Sequence, residues 1–278
     1  MLELNDPLWD KLVTMFRNDH VPTLLSALAA SWDDETADTL LWGELWHQQT
    51  CCGATYAAVP HLLKIAEPEE NRHQRREIAL FLGQVALDTG DRSEDKEPQA
   101  LPETFEGWAI GPVSASEREK MRSIGAEFHS ALPAIRALCE RALLENWEAD
   151  RYLLSGIAAA DGLIGIASLL NHGCDGQFMC ASCGCGYEFI RFGERIAVYA
   201  DTPHEDKGLS DFKDGAPSRA DGFMMPITED DVRDVRVAAL LALAQRAPSP
   251  EPALLLRHFA GSFVCCKCGV QGPMHAFP

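Results

Sequence analysis

Two Cys-x-x-Cys-Gly segments lie far apart in this chain, Cys180-Ala181-Ser182-Cys183-Gly184 and Cys265-Cys266-Lys267-Cys268-Gly269. Each offers two thiolates on one tight turn. The glycine after the second cysteine lets the backbone fold beneath an ion and aim its N–H groups at sulfur. Two such turns complete a four-sulfur tetrahedron, the arrangement of closed structural Zn²⁺ sites. A lone Cys-x-x-Cys is a weak signal, whereas two with the same trailing glycine are a strong one. Any fold for the chain must therefore bring a late insertion and the C-terminal region together in space. The expected ligands are Cys180, Cys183, Cys265 and Cys268. Cys185, in a Cys-x4-Cys arrangement, and Cys266 are the alternatives, with Cys174 more remote, and tetrahedral sulfur accepts iron as well as zinc. A structural staple is expected over a catalytic or redox metal, because four sulfurs leave no open position for water. A redox dithiol usually opens a helix in a βαβ setting, which the surrounding sequence does not offer.

The other cysteines fit a reducing compartment. The chain has ten, but its N-terminus, Met1-Leu2-Glu3-Leu4-Asn5-Asp6, is acidic and lacks the basic and apolar regions of a secretory signal. Metal-bound thiolates in the cytoplasm are expected rather than disulfides. No apolar run reaches the roughly 18 residues of a membrane span. The net charge is −18, with 24 basic against 42 acidic residues. Nucleic-acid binders neutralise phosphates with Lys and Arg, so this balance argues against a nucleic acid and against an anionic membrane surface. It favours a basic protein partner, which it would attract and steer.

Most of the sequence has helical periodicity. Leu8, Leu12 and Phe16, with Trp9 and Val13, make one apolar face. Val21, Leu24, Leu25 and Leu28 make another, with Pro22 in the first turn. Asp33 or Asp34 can cap a third helix carrying Ala37, Leu41 and Leu45 beside Trp42 and Trp46. After a break at Cys51-Cys52-Gly53, a fourth helix runs through Tyr56, Val59, Leu62, Leu63 and Ile65, kinked at Pro60. A fifth carries Ile78, Phe81, Leu82 and Val85. A long polar loop is expected from Thr89 to about Ser116, with Trp108 and Ile110 as anchors. Helices return with Leu132, Ile135, Cys139 and Ala142. The stretch Tyr152–Leu170 reads as two helices broken near Asp161-Gly162. Tyr187–Phe192 and Arg195–Tyr199 then read as two strands turning at Gly193-Glu194, followed by a loop over 201–227. Helices are expected over Glu229–Arg246 and about Pro252–Ala260.

The expected fold is thus mainly α: an α-solenoid of short antiparallel helix pairs with a small zinc-stapled β-hairpin insert. The organisation expected is helical repeats over 1–172, a zinc-knuckle insert and loop over 173–227, and C-terminal helices with the second knuckle over 228–278. Asp231-Val232-Arg233-Asp234-Val235-Arg236-Val237-Ala238-Ala239-Leu240 resembles the second helix of a HEAT repeat. Leu41-Trp42-Gly43-Glu44-Leu45-Trp46-His47-Gln48-Gln49-Thr50, followed by Ala54-Thr55-Tyr56-Ala57-Ala58-Val59-Pro60-His61-Leu62-Leu63, looks like a family of bacterial HEAT-like proteins. That family carries a Trp-…-His-Gln-Gly-Thr segment and then an Ala-Ala-Val-Pro-x-Leu helix; here Gln49 stands where the family has Gly. The resemblance implies an interaction scaffold. Some members of the family sit beside toxins and are suspected immunity proteins, so the resemblance taken with the strong acidity makes an immunity-type inhibitor of a basic toxin the sharper expectation.

Two other groups of residues bear on chemistry. His47, Cys51, Cys52 and His61 could form a Cys–His nucleophile pair, which makes a zinc-dependent or Cys/His hydrolase the alternative class. No orienting acid or oxyanion turn accompanies them, and packing and helix capping account for them more simply. The acidic groups Asp33-Asp34-Glu35, Glu67-Glu69-Glu70, Glu94-Asp95-Glu97 and Glu229-Asp230-Asp231 recur at helix starts and loops. The helix dipole favours acids there by about 0.3–1 kcal/mol each. The same groups can dock a basic protein, so a protein-binding scaffold without catalytic residues is the expected function.

Overall fold

The computed structural model describes residues 1–16, 20–47, 50–67, 71–90, 108–145, 151–173, 175–180, 182–200 and 207–273, with His47, Thr50, Thr89, Gly90, Glu229 and Pro273 placed by backbone alone. It is mainly helical, with ten α-helices and a small antiparallel sheet among those residues. The chain divides into two compact units, Met1–Ala142 and Leu143–Pro278.

The first unit opens with a 3-10 turn, Pro7–Asp10, capped by the Asp6 carboxylate on the Leu8 N–H at 2.9 Å. The helix expected through Leu12 and Phe16 does not form. Leu12 instead pairs antiparallel with Ala109, the Val13 N–H donates to the Trp108 carbonyl at 2.8 Å, and Phe16 is exposed. Long-range backbone pairing outweighs local helical spacing here.

Helix α1 (Val21–Ala30) holds Pro22 in its first turn and buries Val21, Leu25 and Leu28. Helix α2 (Asp34–Asp38) is capped by Asp33, whose carboxylate accepts from the Thr36 N–H at 2.8 Å. It runs on through a π-helical turn, Thr39–Glu44, that buries Leu40 and Leu41. A two-residue hairpin, β1 (Trp46–His47) and β2 (Thr50–Cys51), leads into α3 (Gly53–Ile65), which is buried along most of its length. Pro60 lies within α3.

Helix α4 (Arg72–Gly90) buries Ile78, Phe81, Leu82 and Val85 completely. Helix α5 (Ala115–Glu145) buries Met121, Ile124, Phe128, Ile135 and Cys139. Of the two expected loop anchors only Trp108 is one. It is buried and stacks on Tyr56 of α3 at 4.7 Å, while Ile110 is exposed.

The second unit begins with α6 (Arg151–Ala160) and α7 (Ile164–His172), packed on each other across the break expected at Asp161-Gly162. Three strands follow, β3 (Asp175–Met179), β4 (Gly186–Phe192) and β5 (Arg195–Ala200), each antiparallel to the next. The turn at Gly193-Glu194 is where the sequence puts it, but β3 was not expected. Helix α8 (Lys207–Asp214) and β6 (Gly222–Phe223) correct the expectation of an irregular 201–227 loop; 201–206 lie outside the described residues.

The next helix also starts later than expected. Glu229–Asp231 is a 3-10 turn, and α9 (Val235–Arg246) begins after Asp234, whose carboxylate accepts from the Arg236 N–H at 2.8 Å. Helix α10 (Glu251–Phe259) packs on α9, α7 and α6. Strands β7 (Ser262–Val264) and β8 (Gln271–Pro273) close the unit as a hairpin.

Two features position this C-terminal hairpin. Met225, just past β6, exchanges both backbone hydrogen bonds with Ser262 of β7, at 2.8 and 3.0 Å, so the hairpin continues the β3–β6 sheet. Gly261 permits it: a Cβ there would sit 1.9 Å from the Met225 carbonyl oxygen. On the sheet's other flank, α8 is tied down by Asp211, whose side chain is fully buried. It accepts from the Tyr199 hydroxyl at 3.1 Å, the Ser218 hydroxyl at 2.9 Å, and the Arg219 N–H and guanidinium at 2.7 Å each. Burial alone would raise this carboxyl, but those donors hold it below its ordinary 3.8.

Gly261→Ala is expected to destabilise the second unit by about 1–3 kcal/mol, the usual cost of forced overpacking. Loss of amide-exchange protection at Met225 and Ser262 would locate the damage. For Asp211, the depressed pKa means its contribution is complete above 3.8 and is lost as pH falls through the folded value. Asp211→Asn should therefore melt lower at neutral pH and show a flatter fall in Tm on acidification than the parent chain. Equal acid slopes in the two would refute that linkage.

Candidate metal centre

Each Cys-x-x-Cys segment occupies the turn of a β-hairpin. The first closes β3 onto β4, where Met179 pairs with Gly186; the second closes β7 onto β8, where Val264 pairs with Gln271. The two turns share one backbone hydrogen-bond pattern. The Cys180 N–H donates to the Cys185 carbonyl and the Gly184 N–H to the Cys180 carbonyl, at 2.9 and 2.8 Å. The Cys265 N–H donates to the Val270 carbonyl and the Gly269 N–H to the Cys265 carbonyl, again at 2.9 and 2.8 Å. Gly184 and Gly269 have φ of 69° and 72°, the left-handed conformation that the turn requires and that glycine supplies without strain. The Cys268 N–H points at the Cys265 sulfur, 3.4 Å away, as a metal knuckle demands.

The sulfurs of Cys180, Cys183, Cys265 and Cys268 all lie within 4.8 Å of one another. Cys180 and Cys268 are 3.8 Å apart, Cys183 and Cys265 3.7 Å. A tetrahedral ion with metal–sulfur bonds of about 2.3 Å sets its sulfurs about 3.8 Å apart, and a disulfide needs about 2.05 Å. The four residues thus fit a metal ion such as zinc. Cys180 and Cys265 are buried, while Cys183 and Cys268 face solvent. Cys185 and Cys266 fall outside the four-sulfur group, and Cys174 lies outside the described residues.

The electrostatics also favour a cation. Burial would raise the Cys265 thiol, but hydrogen bonds from the Tyr187 hydroxyl and from the Cys268 and Lys267 N–H groups bring it down to about 6. The Cys185 N–H lowers Cys183, yet desolvation and the thiols of Cys265, Cys268 and Cys180 push it up to about 12. One thiolate forms readily and then opposes the next, a conflict that a dication removes.

Tyr187 on β4 is the functional neighbour the sequence reading missed. Its buried hydroxyl is 3.0 Å from the Cys265 sulfur, and its ring joins Phe178 and Phe263 in an aromatic floor, at 5.3 and 4.9 Å between ring centres. The available signal was strand alternation: a residue two places after Cys185 on an expected strand faces the same side as the knuckle.

The second cluster does not assemble as a nucleophile pair among the described residues. His61 Nε2 lies 2.9 Å from the Leu2 carbonyl, and burial lowers the ring's pKa. Cys52 caps α3, its N–H donating to the Thr55 hydroxyl at 2.9 Å. The Cys51 N–H donates to the Asp88 carboxylate at 3.1 Å. Burial pushes both thiols up, and Asp88 adds to this at Cys51, the reverse of what activates a cysteine. The His47 side chain and Gln48-Gln49 lie outside the described residues, as do Glu69-Glu70 and Glu94-Asp95-Glu97. Cys139 is a buried hydrophobe whose thiol donates to the Ala79 carbonyl at 3.3 Å.

No protein-family model, curated protein or solved structure matches the chain. Among the described residues no helix is long and apolar enough to cross a membrane.

Cys180→Ser or Cys265→Ser should abolish stoichiometric metal binding and cost the second unit most of its stability. A structural zinc can contribute on the order of 10 kcal/mol to a module of this kind. Cys185→Ser and Cys266→Ser should retain one ion per chain by elemental analysis. Metal loss in either of the latter would reassign the ligand set.

Proposed function

We propose that this protein is a protein-binding scaffold stapled by one structural Zn²⁺, and that it acts as an immunity-type inhibitor of a basic bacterial toxin. Four sulfurs at tetrahedral spacing leave no open position, which supports a structural rather than a catalytic ion. The same sulfurs accept iron as well as zinc, and zinc, the usual ion of closed four-cysteine structural sites, is our assignment. The short helix pairs α6–α7 and α9–α10 are compatible with HEAT-like stacking, in keeping with the sequence resemblance. A cytoplasmic location suits a thiolate-bound metal.

The observation that carries the reading is the exposure of acid groups in each unit of a strongly acidic chain. Asp33, Asp34 and Glu35 open α2, all exposed. Asp230 and Asp231 are exposed on the turn before α9. Asp33 caps its helix and Asp34 pairs with His73, so part of this charge stabilises the fold. These carboxylates remain at the surface, where long-range attraction raises the association rate of a cationic partner.

The test is affinity capture from the host lysate at low and high salt, followed by binding kinetics with the recovered partner. A single stoichiometric basic partner is expected, with association slowing as salt rises. Charge reversal at Asp34, Glu35 and Asp230 should weaken it by about tenfold or more through the on-rate. A partner indifferent to both salt and reversal would overturn the electrostatic reading. The purified protein should be colourless and carry one zinc, whereas a coloured protein carrying iron would overturn the metal assignment.

A further inference from the structure

Two thiols beside the metal centre are not needed by it. The matching hydrogen-bond patterns of the two knuckles align Cys185 with Val270, a residue that cannot ligate, and align Cys266 with Ala181. Yet Cys185 and Cys266 come from opposite hairpins and converge on one atom. The Tyr187 hydroxyl lies 3.4 Å from the Cys266 sulfur, and the Cys185 thiol acts on the same hydroxyl while its sulfur lies 3.7 Å from the Gly186 carbonyl. Cys266 is exposed and Cys185 half-buried, so a small oxidant in solution reaches this side of the cluster.

We propose that Cys185 and Cys266 are a redox-controlled cross-link that joins the two knuckles in parallel with the metal. The oxidant is a hydroperoxide. The Cys266 thiol attacks the peroxide O–O bond, giving a sulfenic acid and releasing water (or an alcohol). The Cys185 thiol then attacks that sulfur, forming the S–S bond and releasing a second water. Two thiols lose two electrons and two protons, and the peroxide takes them up. Bond formation at about 2.05 Å requires the two side chains to swing past the Tyr187 hydroxyl, with Cys266 exposed and Cys185 half-buried. The four metal ligands keep their sulfurs throughout. In the reduced protein no covalent bond joins the two turns, whereas in the oxidised protein one keeps the two half-sites together after the metal leaves.

The inference rests on the metal reading above, so the test separates the two. The reduced full-length protein, purified without added metal, is first analysed for bound zinc. It is then treated with stoichiometric hydrogen peroxide, alkylated and mapped by mass spectrometry. A Cys185–Cys266 peptide pair with zinc retained is expected. Release of zinc to a chelator should slow by about tenfold or more, because a linked pair of half-sites recaptures the ion, and dithiothreitol should restore the original rate. In Cys185→Ser, Cys266 should stop at a sulfenic acid that dimedone traps. Disulfides among Cys180, Cys183, Cys265 and Cys268 with zinc expelled would overturn the proposal, as would over-oxidation of Cys266 without a link. A reduced protein without metal would overturn the metal reading alone, and the peptide map of that same protein would still decide the cross-link.

Discussion

Four sulfur atoms meet at the turns of two hairpins that the chain places more than eighty residues apart, Cys183 and Cys265 being separated by 82 positions and Cys180 and Cys268 by 88. Closing a loop of that length costs about 4 kcal/mol of chain entropy. An ion such as zinc held by the four sulfurs would offset that cost, since a structural zinc supplies on the order of 10 kcal/mol. The rest of the second unit serves the same closure. Met225 and Ser262 extend the sheet to the second hairpin, Gly261 removes the Cβ that would block them, and Phe178, Tyr187 and Phe263 give the cluster a packed floor. The cluster that lowers the Cys265 thiol pushes Cys183 up, a conflict that an ion between them would relieve, and the Met225–Ser262 exchange brings the second hairpin to the sheet that carries the first.

The parts legible in the sequence were those fixed locally. Apolar periodicity marked α1, α3, α4 and α10, Gly162 marked the α6–α7 break, and the repeated Cys-x-x-Cys-Gly turns marked the four sulfurs. What escaped was set by distant contacts. Leu12 and Phe16 have helical spacing, but Leu12 lies against Ala109, and that pairing dictates extended chain. Strand β3, Asp-Gly-Gln-Phe-Met, has no β-branched residue to announce it and exists because β4 supplies its partner. Helix α8 sits in a polar stretch, where a buried carboxylate with four donors replaces the apolar face that periodicity looks for. Tyr187 could be assigned to a strand, but its role depends on a sulfur 78 positions away.

The environments of the cysteines divide them by role in a way their spacing alone does not. Cys52 and Cys139 are buried against carbonyl oxygens and behave as small hydrophobes. Cys51 is half-buried beside the Asp88 carboxylate, and desolvation and that charge both push its thiol up and disfavour the thiolate. On the knuckles the thiols are surrounded by N–H and O–H donors and also by one another, the setting that favours thiolate and cation together. Among the described cysteines, those of the first unit are packed or cap a helix, and those of the second gather on the knuckles. Charge follows a local rule of its own: the exposed carboxylates of Asp33, Asp34 and Glu35 open α2, where Asp33 caps the Thr36 N–H and the helix dipole favours all three.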